Sequence, residues 1–184
     1  MSRYHPLLVT LLWLLAVLII AALLIGFFVL ATMPNTDPRK INDLLVHMAG
    51  GMLILALMII RFIVRMLTSG PVAATTGFPL LDRVAPFVHY GFYALVFLMV
   101  ASGYTTALLA GLNRSVFAHS GEPLPETFDI YPSFVAHGTI AAVLAGFIAL
   151  HVLAVVFHQL VRKDHLLRRM LFGRRVINPI VTPH

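Results

Sequence analysis

Four long apolar runs, separated by short polar segments, dominate the pattern of hydrophobic positions along the chain. They lie near residues 7–31, 44–67, 84–111 and 133–161. Each run is long enough to cross the roughly 30 Å hydrocarbon core of a bilayer, which takes about 20 helical residues. The pattern predicts an all-α integral membrane protein whose single domain, residues 1–184, folds as an antiparallel four-helix bundle.

Composition and charge support this prediction and add an orientation. Hydrophobic residues make up 60% of the chain and charged residues 11%. In a four-span arrangement only three of the 13 lysines and arginines, Arg39, Lys40 and Arg114, fall on the side of the loops 32–43 and 112–132. Because cytoplasmic segments carry the excess of basic residues, both termini are predicted to be cytoplasmic. The net charge of +6 is therefore a topology signal and does not indicate nucleic-acid binding.

The segment 112–132 is the only sizeable polar stretch of the chain. It contains three prolines and the acids Glu122, Glu126 and Asp129. Helix connections in bundles usually take about 2–8 residues, so a segment of roughly 21 residues exceeds what a connector needs. We expect it to form a lid over the outer ends of the helices.

Histidines inside the apolar runs are the candidate functional residues. His137 and His151 are 14 residues apart in the last run, which places them about 21 Å apart along a helix, on nearly the same face. His47, in the first turn of the second run, is predicted to share the outer level with His137. The chain has no cysteine, which excludes thiolate metal sites and thioether-linked haem. Two imidazoles at one level predict a haem held between two helices.

A second group of polar residues lies toward the inner side of the predicted bundle. His89 and His151 share that level, and His158 lies two turns below His151. An ionisable side chain in a membrane marks a functional site by default, but for His89 or His158 alone a hydrogen bond between helices or a quinone contact is the preferred interpretation. Arg61 either extends to the membrane interface or pairs with a haem propionate or an anionic lipid.

These residues are similar to those of the bacterial cytochrome b561 family of four-helix membrane cytochromes. That family includes a quinone-linked superoxide oxidase and is related to the cytochrome b subunits of formate dehydrogenases and nickel–iron hydrogenases. The resemblance covers nearly the whole chain, and the paired histidines of the last run are its most specific part. The matching residues are Ile41-Asn42 leading to His47, Arg61-x-x-x-Arg65, His89-Tyr90-Gly91-Phe92-Tyr93, His137-Gly138 with His151, and His158 with Arg162-Lys163-Asp164-His165.

The resemblance implies two b-type haems. The outer haem would be held by His47 and His137, and the inner haem by His151 together with a histidine early in the first helix. This chain departs from the family pattern there, because Leu12-Trp13 stands where the family usually has His-Trp. Leucine cannot ligate iron. We therefore expect one haem b, and the alternative of two haems requires His151 to act alone or with His89.

The resemblance also implies a role in the bacterial inner membrane. The first hypothesis is electron transfer between an outer-face donor and the quinone pool, similar to superoxide:quinone oxidoreductase, with ubiquinone as substrate near His158 and Arg162. The scarcity of outer cations argues against superoxide, and the departure at Leu12 argues against a complete transmembrane relay. The alternatives are a cytochrome b subunit of a larger respiratory or dehydrogenase complex, and a structural accessory subunit. No catalytic residue of a hydrolase or transferase type is predicted.

Overall fold

The computed structural model of the protein describes residues 5–68, 79–118 and 120–163, and helices account for its regular structure. The four long helices are α1 (Pro6–Leu24), α2 (Lys40–Leu67), α3 (Pro79–Leu109) and α4 (Pro132–Phe157). Short π-helical segments extend α1 over Ile25–Leu30, follow α3 at Asn113–Phe117 and extend α4 over His158–Arg162.

The predicted all-α, four-span architecture is confirmed for the described residues. Four helices are long and apolar enough to cross a membrane: Pro6–Leu30, Lys40–Leu67, Tyr90–Leu109 and Pro132–Arg162. Many of their large apolar side chains are exposed, as expected for helices that face lipid. The protein is therefore a multi-pass membrane protein.

Two helix starts were predicted too late. α2 begins at Lys40 instead of 44, because the polar residues ahead of the apolar run form its first turn. α3 begins at Pro79 instead of 84, and Pro79 suits a first helical position because proline has no backbone N–H to leave unsatisfied. At the other end of α3, Gly111 has a φ of +68°, the left-handed conformation that commonly follows a helix and is open to glycine.

Contacts between neighbouring helices establish that they run antiparallel. Early positions of α1 meet late positions of α2, since Arg61 donates a hydrogen bond to the Leu8 carbonyl over 2.6 Å. The rings of Phe62 and Tyr93 join α2 to α3 at a centroid distance of 5.4 Å. The apolar core of the bundle contains residues from all four helices, namely Leu15, Ile54, Met58, Tyr93, Val96 and Leu144.

One end of the bundle is covered by the segments that connect its helices. We call this the loop end, where residues 31–39, 110–118 and 120–131 lie, and we call the opposite end, with Pro6 and Leu67, the terminal end. At the loop end a second cluster buries Leu44, Ala107, Leu112, Val116 and Phe128. Three of these come from the long connection or its start, so this segment packs on the helices as the predicted lid.

Two hydrogen-bonded features fasten the loop end. Asn35 donates from Nδ2 to the Pro125 carbonyl over 2.7 Å, which ties the two connections together. Lys40 is only 4% exposed, and its ammonium donates to the carbonyls of Leu30 and Met33. These carbonyls end the first span, where helical acceptors lack backbone partners and a cation is favourable. Lys40 therefore caps the end of the first span with its ammonium group and does not face solvent.

Candidate functional site

His47 and His137 come together near the loop end of the bundle. Their ring centroids are 6.1 Å apart, with the ring planes at 80°, which confirms the prediction that the two residues share one level. His47 lies two turns inside α2 and not in its first turn, because the helix begins at Lys40. His137 lies in the second turn of α4, which begins at Pro132. The two imidazoles thus bridge non-consecutive helices.

The hydrogen bonds of His137 fix which ring nitrogen carries the proton. Its Nδ1 lies 3.0 Å from the Met99 carbonyl oxygen and 3.2 Å from the Ser102 hydroxyl. A carbonyl oxygen can only accept, so the first contact is a hydrogen bond only when Nδ1 is protonated. In that tautomer Nε2 keeps its lone pair. A metal-ligating histidine typically donates its other N–H in this way, often to a backbone carbonyl.

A glycine of α3 allows the His137 ring to lie against the helix backbone. A Cβ atom built at Gly103 would be 3.0 Å from Cε1 of His137 and 3.1 Å from its Nδ1. Carbon atoms in optimal contact are about 3.5–4.0 Å apart. Gly103 is therefore the residue type that permits the close approach of this ring to α3.

His47 is less completely satisfied than His137. Its Nδ1 is buried and has no hydrogen-bond partner among the described residues. The ring lies beside Gly26 of the π-helical extension of α1, where an added Cβ would be 3.6 Å from its Cε1. One turn further along α2, around Gly50 and Gly51, an added Cβ would meet no atom within 4 Å. A buried polar atom without a partner, beside open space, calls for a further group to complete the site.

These observations fit a haem that His47 and His137 would hold. Metal–imidazole bonds are about 2 Å long, and a ring nitrogen lies about 1 Å from its ring centre, so two rings on opposite sides of one metal are about 6 Å apart. The 6.1 Å between His47 and His137 agrees with that separation. His47 and His137 are therefore the residues that would hold a b-type haem at this level.

The inner level of the predicted site is only partly described. His151 lies in α4 with its ring 5.3 Å from that of Phe92. The helix register set by the pair Ser102 and His137 places position 89 of α3 near the level of His151, but the side chain of His89 is outside the described residues. On α1, Leu12 stands at the position where the resemblance implies a ligand. The ligand assignments at this level remain predictions.

The other predicted site residues lie toward the terminal end. Arg61 of α2 donates from Nη1 to the Leu8 carbonyl, so one of its nitrogens holds α1 and α2 together. This contact matches neither of the roles predicted for Arg61, which remain predictions. The ring of His158 lies 6.1 Å from that of Phe157. His158 begins the last π-helical segment, and Arg162 ends it.

Two features were not predicted from the sequence: the polar contacts between α3 and α4, and the burial of Lys40. Ser102 and Thr106 are one turn apart on α3, and Ser133 and His137 are one turn apart on α4. The hydroxyls of Thr106 and Ser133 are hydrogen-bonded over 2.8 Å, in parallel with the contact between Ser102 and His137. The matched four-residue spacing of polar positions in two apolar helices was the available signal. The burial of Lys40 had no comparable signal.

An all-helical membrane bundle with a partly buried histidine pair is the arrangement expected of a membrane-embedded b-type cytochrome. The model of one family, described as prokaryotic cytochrome b561, matches residues 3–173 of the chain. The chain belongs to the prokaryotic cytochrome b561 family. It is therefore a membrane b-type cytochrome that acts in electron transfer, and its family binds b-type haem.

Proposed function

We propose that the protein holds one b-type haem between His47 and His137 and transfers electrons between a donor at the loop end and quinone in the membrane. The observation that carries the proposal is the 6.1 Å contact of the two imidazoles. His137, with Nδ1 bonded to Met99, would offer Nε2 to the iron, and His47 would supply a second ligand. The haem, when bound, supplies a one-electron couple.

The orientation and the location are part of this proposal. Ten of the 13 lysines and arginines fall on the terminal side of the four spans, so the positive-inside rule places the loop end outside and both termini in the cytoplasm. The family is prokaryotic, which supports the inner membrane of a bacterium. The lid would then cover the haem level from the outside, and the donor would dock against it.

Quinone would bind toward the terminal end, near His158 and Arg162. An imidazole and a guanidinium can donate hydrogen bonds to quinone oxygens, and their position at the end of α4 places them near the membrane interface. The inner level between this region and the haem is where Leu12 replaces the implied ligand. Positions 137 and 158 are 21 residues apart, about 31 Å along a helix, so an electron would reach this quinone only through a second haem at His151, alone or with His89. A measured content of one haem per chain would favour the subunit role.

The charges at the loop end favour a second candidate, a cytochrome b subunit of a larger respiratory or dehydrogenase complex. Lys40 is buried, and Arg39 forms an ion pair with Asp37 at 2.8 Å. This ion pair stabilises the charged forms of both residues, because the hydrogen bonds from Arg39 lower the pKa of Asp37 to about 2. Arg39 and Lys40, two of the three predicted outer cations, therefore already have partners within the protein. This weakens electrostatic guidance of a small anion such as superoxide and favours a docked protein donor.

The haem assignment is tested with His47→Ala and His137→Ala, purified from membranes beside the parent protein. Haem content per chain is measured as pyridine haemochromogen, and the reduced-minus-oxidised spectrum is recorded. We expect one haem in the parent protein and loss of the b-type spectrum in both variants. His5→Ala, at the helix cap of α1, is the matched control and should keep its haem. Full haem in both variants would overturn the ligand assignment.

The electron route is tested by reducing the haem of the purified protein with dithionite, removing the excess reductant and following reoxidation of the haem by an added quinone analogue. We expect reoxidation that slows in His158→Ala and in Arg162→Ala. Absence of quinone-dependent reoxidation in the fully loaded parent protein would refute the quinone route. It would leave the subunit role, in which electrons pass to a partner protein at the loop end.

A further inference from the structure

The polar contacts between α3 and α4 form two rungs, one turn apart. Thr106 of α3 is only 5% exposed, and its hydroxyl lies 2.8 Å from that of Ser133 and 3.0 Å from the carbonyl of Ser102. The other rung joins the Ser102 hydroxyl to Nδ1 of His137 at 3.2 Å. Because polar groups in a membrane interior need partners, these rungs fix both the register and the rotation of α4 against α3.

The position of each proton in the second rung follows from the acceptors. The Ser102 hydroxyl donates to the Met99 carbonyl over 2.9 Å, so its lone pairs remain available. Nδ1 of His137 must carry a proton to bond the same carbonyl at 3.0 Å. That N–H is thus shared between the Met99 oxygen and the Ser102 hydroxyl, and two acceptors hold the ring in one orientation.

From this arrangement we infer that Ser102 is a positioning residue that sets the reduction potential of the haem through His137. The inference rests on the proposed haem at His47 and His137. An acceptor on the outer N–H of a ligating histidine increases the basicity of the ligating nitrogen. A more basic ligand stabilises ferric iron relative to ferrous iron. The Ser102 hydroxyl therefore lowers the potential, and its removal raises it.

The size of the effect is limited by the Met99 carbonyl, which stays in place. Removing the hydroxyl takes one acceptor from Nδ1, but it also leaves the Met99 oxygen with one donor fewer, which offsets part of the loss. A single hydrogen bond changes an equilibrium constant by about two- to twelvefold. For Ser102→Ala we expect the ratio of reduced to oxidised haem, at the midpoint potential of the parent protein, to increase about threefold, or about 28 mV at 59 mV per decade.

The test is a spectroelectrochemical titration of the full-length, haem-loaded protein. Ser102→Thr keeps a hydroxyl on the same Cβ atom and should restore the potential of the parent protein. Thr105→Ala is the matched control, because the Thr105 hydroxyl is also on α3 but bonds only the Ala101 carbonyl; its potential should not change. If Ser102→Ala fails to accumulate, Ser102→Cys takes its place in the test. Its thiol is similar in shape to the hydroxyl but is a weaker acceptor, so the potential should shift in the same direction.

The outcomes separate this inference from the proposed function. If His137→Ala loses its haem while Ser102→Ala and Ser102→Cys have the same midpoint potential as the parent protein, the inference about Ser102 is wrong and the haem assignment stands. If His137→Ala keeps its haem, the assignment itself fails. An equal shift in Thr105→Ala would also overturn the inference, because the effect would then come from any lost hydroxyl on α3.

Discussion

Replacing Gly103 with alanine tests how closely His137 has to approach α3. The added Cβ would lie 3.0 Å from Cε1 of His137, against about 3.5–4.0 Å for carbon atoms in optimal contact, so the ring has to move by about half an ångström. The Met99 carbonyl and the Ser102 hydroxyl oppose that movement. Overpacking of this kind costs about 1–3 kcal/mol, whereas alanine in place of glycine gains about 1 kcal/mol of helix propensity. The expected net destabilisation is about 0–2 kcal/mol.

The displaced ring should also weaken the bond between His137 and the haem iron. At 1.4 kcal/mol per factor of ten, a strain of about 1–2 kcal/mol increases the population with His137 detached by about five- to thirtyfold. A haem with two histidine ligands has no position free for carbon monoxide, but a haem that has lost one ligand does. We expect the dithionite-reduced parent protein to bind little carbon monoxide and Gly103→Ala to bind clearly more, measured by difference spectroscopy.

The control is Gly146→Ala, which makes the same change of residue on α4. An added Cβ at Gly146 would meet no atom within 4 Å, and nine residues from His137 correspond to the opposite side of the helix. Gly146→Ala should bind no more carbon monoxide than the parent protein. If Gly103→Ala carries full haem and also matches the parent protein, the close approach of His137 to α3 has no part in holding the ligand.

Three further predictions concern the rest of the chain. Leu12→His supplies a ligand where the family resemblance implies one, so haem content by pyridine haemochromogen should rise above that of the parent protein; an unchanged value would show that a single ligand does not restore the inner haem. Lys40→Met leaves two carbonyls at the end of the first span without their donor, and thermal unfolding should show a loss of about 1–3 kcal/mol, with a much smaller change for the exposed Arg39→Met. The folded-state pKa of Asp37 is about 2, below its unfolded value near 3.9, so the Asp37–Arg39 pair contributes stability above about pH 4 and loses it as the pH falls through about 2. The difference in thermal stability between the parent protein and Asp37→Asn should therefore be constant near neutral pH and vanish near pH 2.

The spans and the histidine pair could be predicted because both depend on position along single helices. The length of an apolar run fixes whether it can cross a membrane. Depth follows from the distance to the nearest helix end, and His47 and His137 are both close to the loop end. The error of four residues at the start of α2 changes the inferred depth of His47 by about one helical turn, which is too little to separate it from the level of His137.

The contacts that hold the site could not be predicted, because they depend on how helices are rotated against each other. Lys40 was assigned to the outer surface from its charge, but it is buried and donates to the Leu30 and Met33 carbonyls at and after the end of the first span. The hydrogen bond from His137 to Met99 likewise depends on which face α3 presents to α4. Helical periodicity defines a face but does not identify the residue opposite it.

The separation of His47 and His137 along the chain has a consequence for biosynthesis. A chain made only as far as α3 contains one ligand of the pair, and the second arrives with the last helix. The lid joins α3 to α4 and buries Phe128 beside Leu44, so docking of α4 and closure of the loop end occur as one event. Under the proposed ligation, a stably bound haem would therefore report that the helices carrying both histidines have been inserted and packed together.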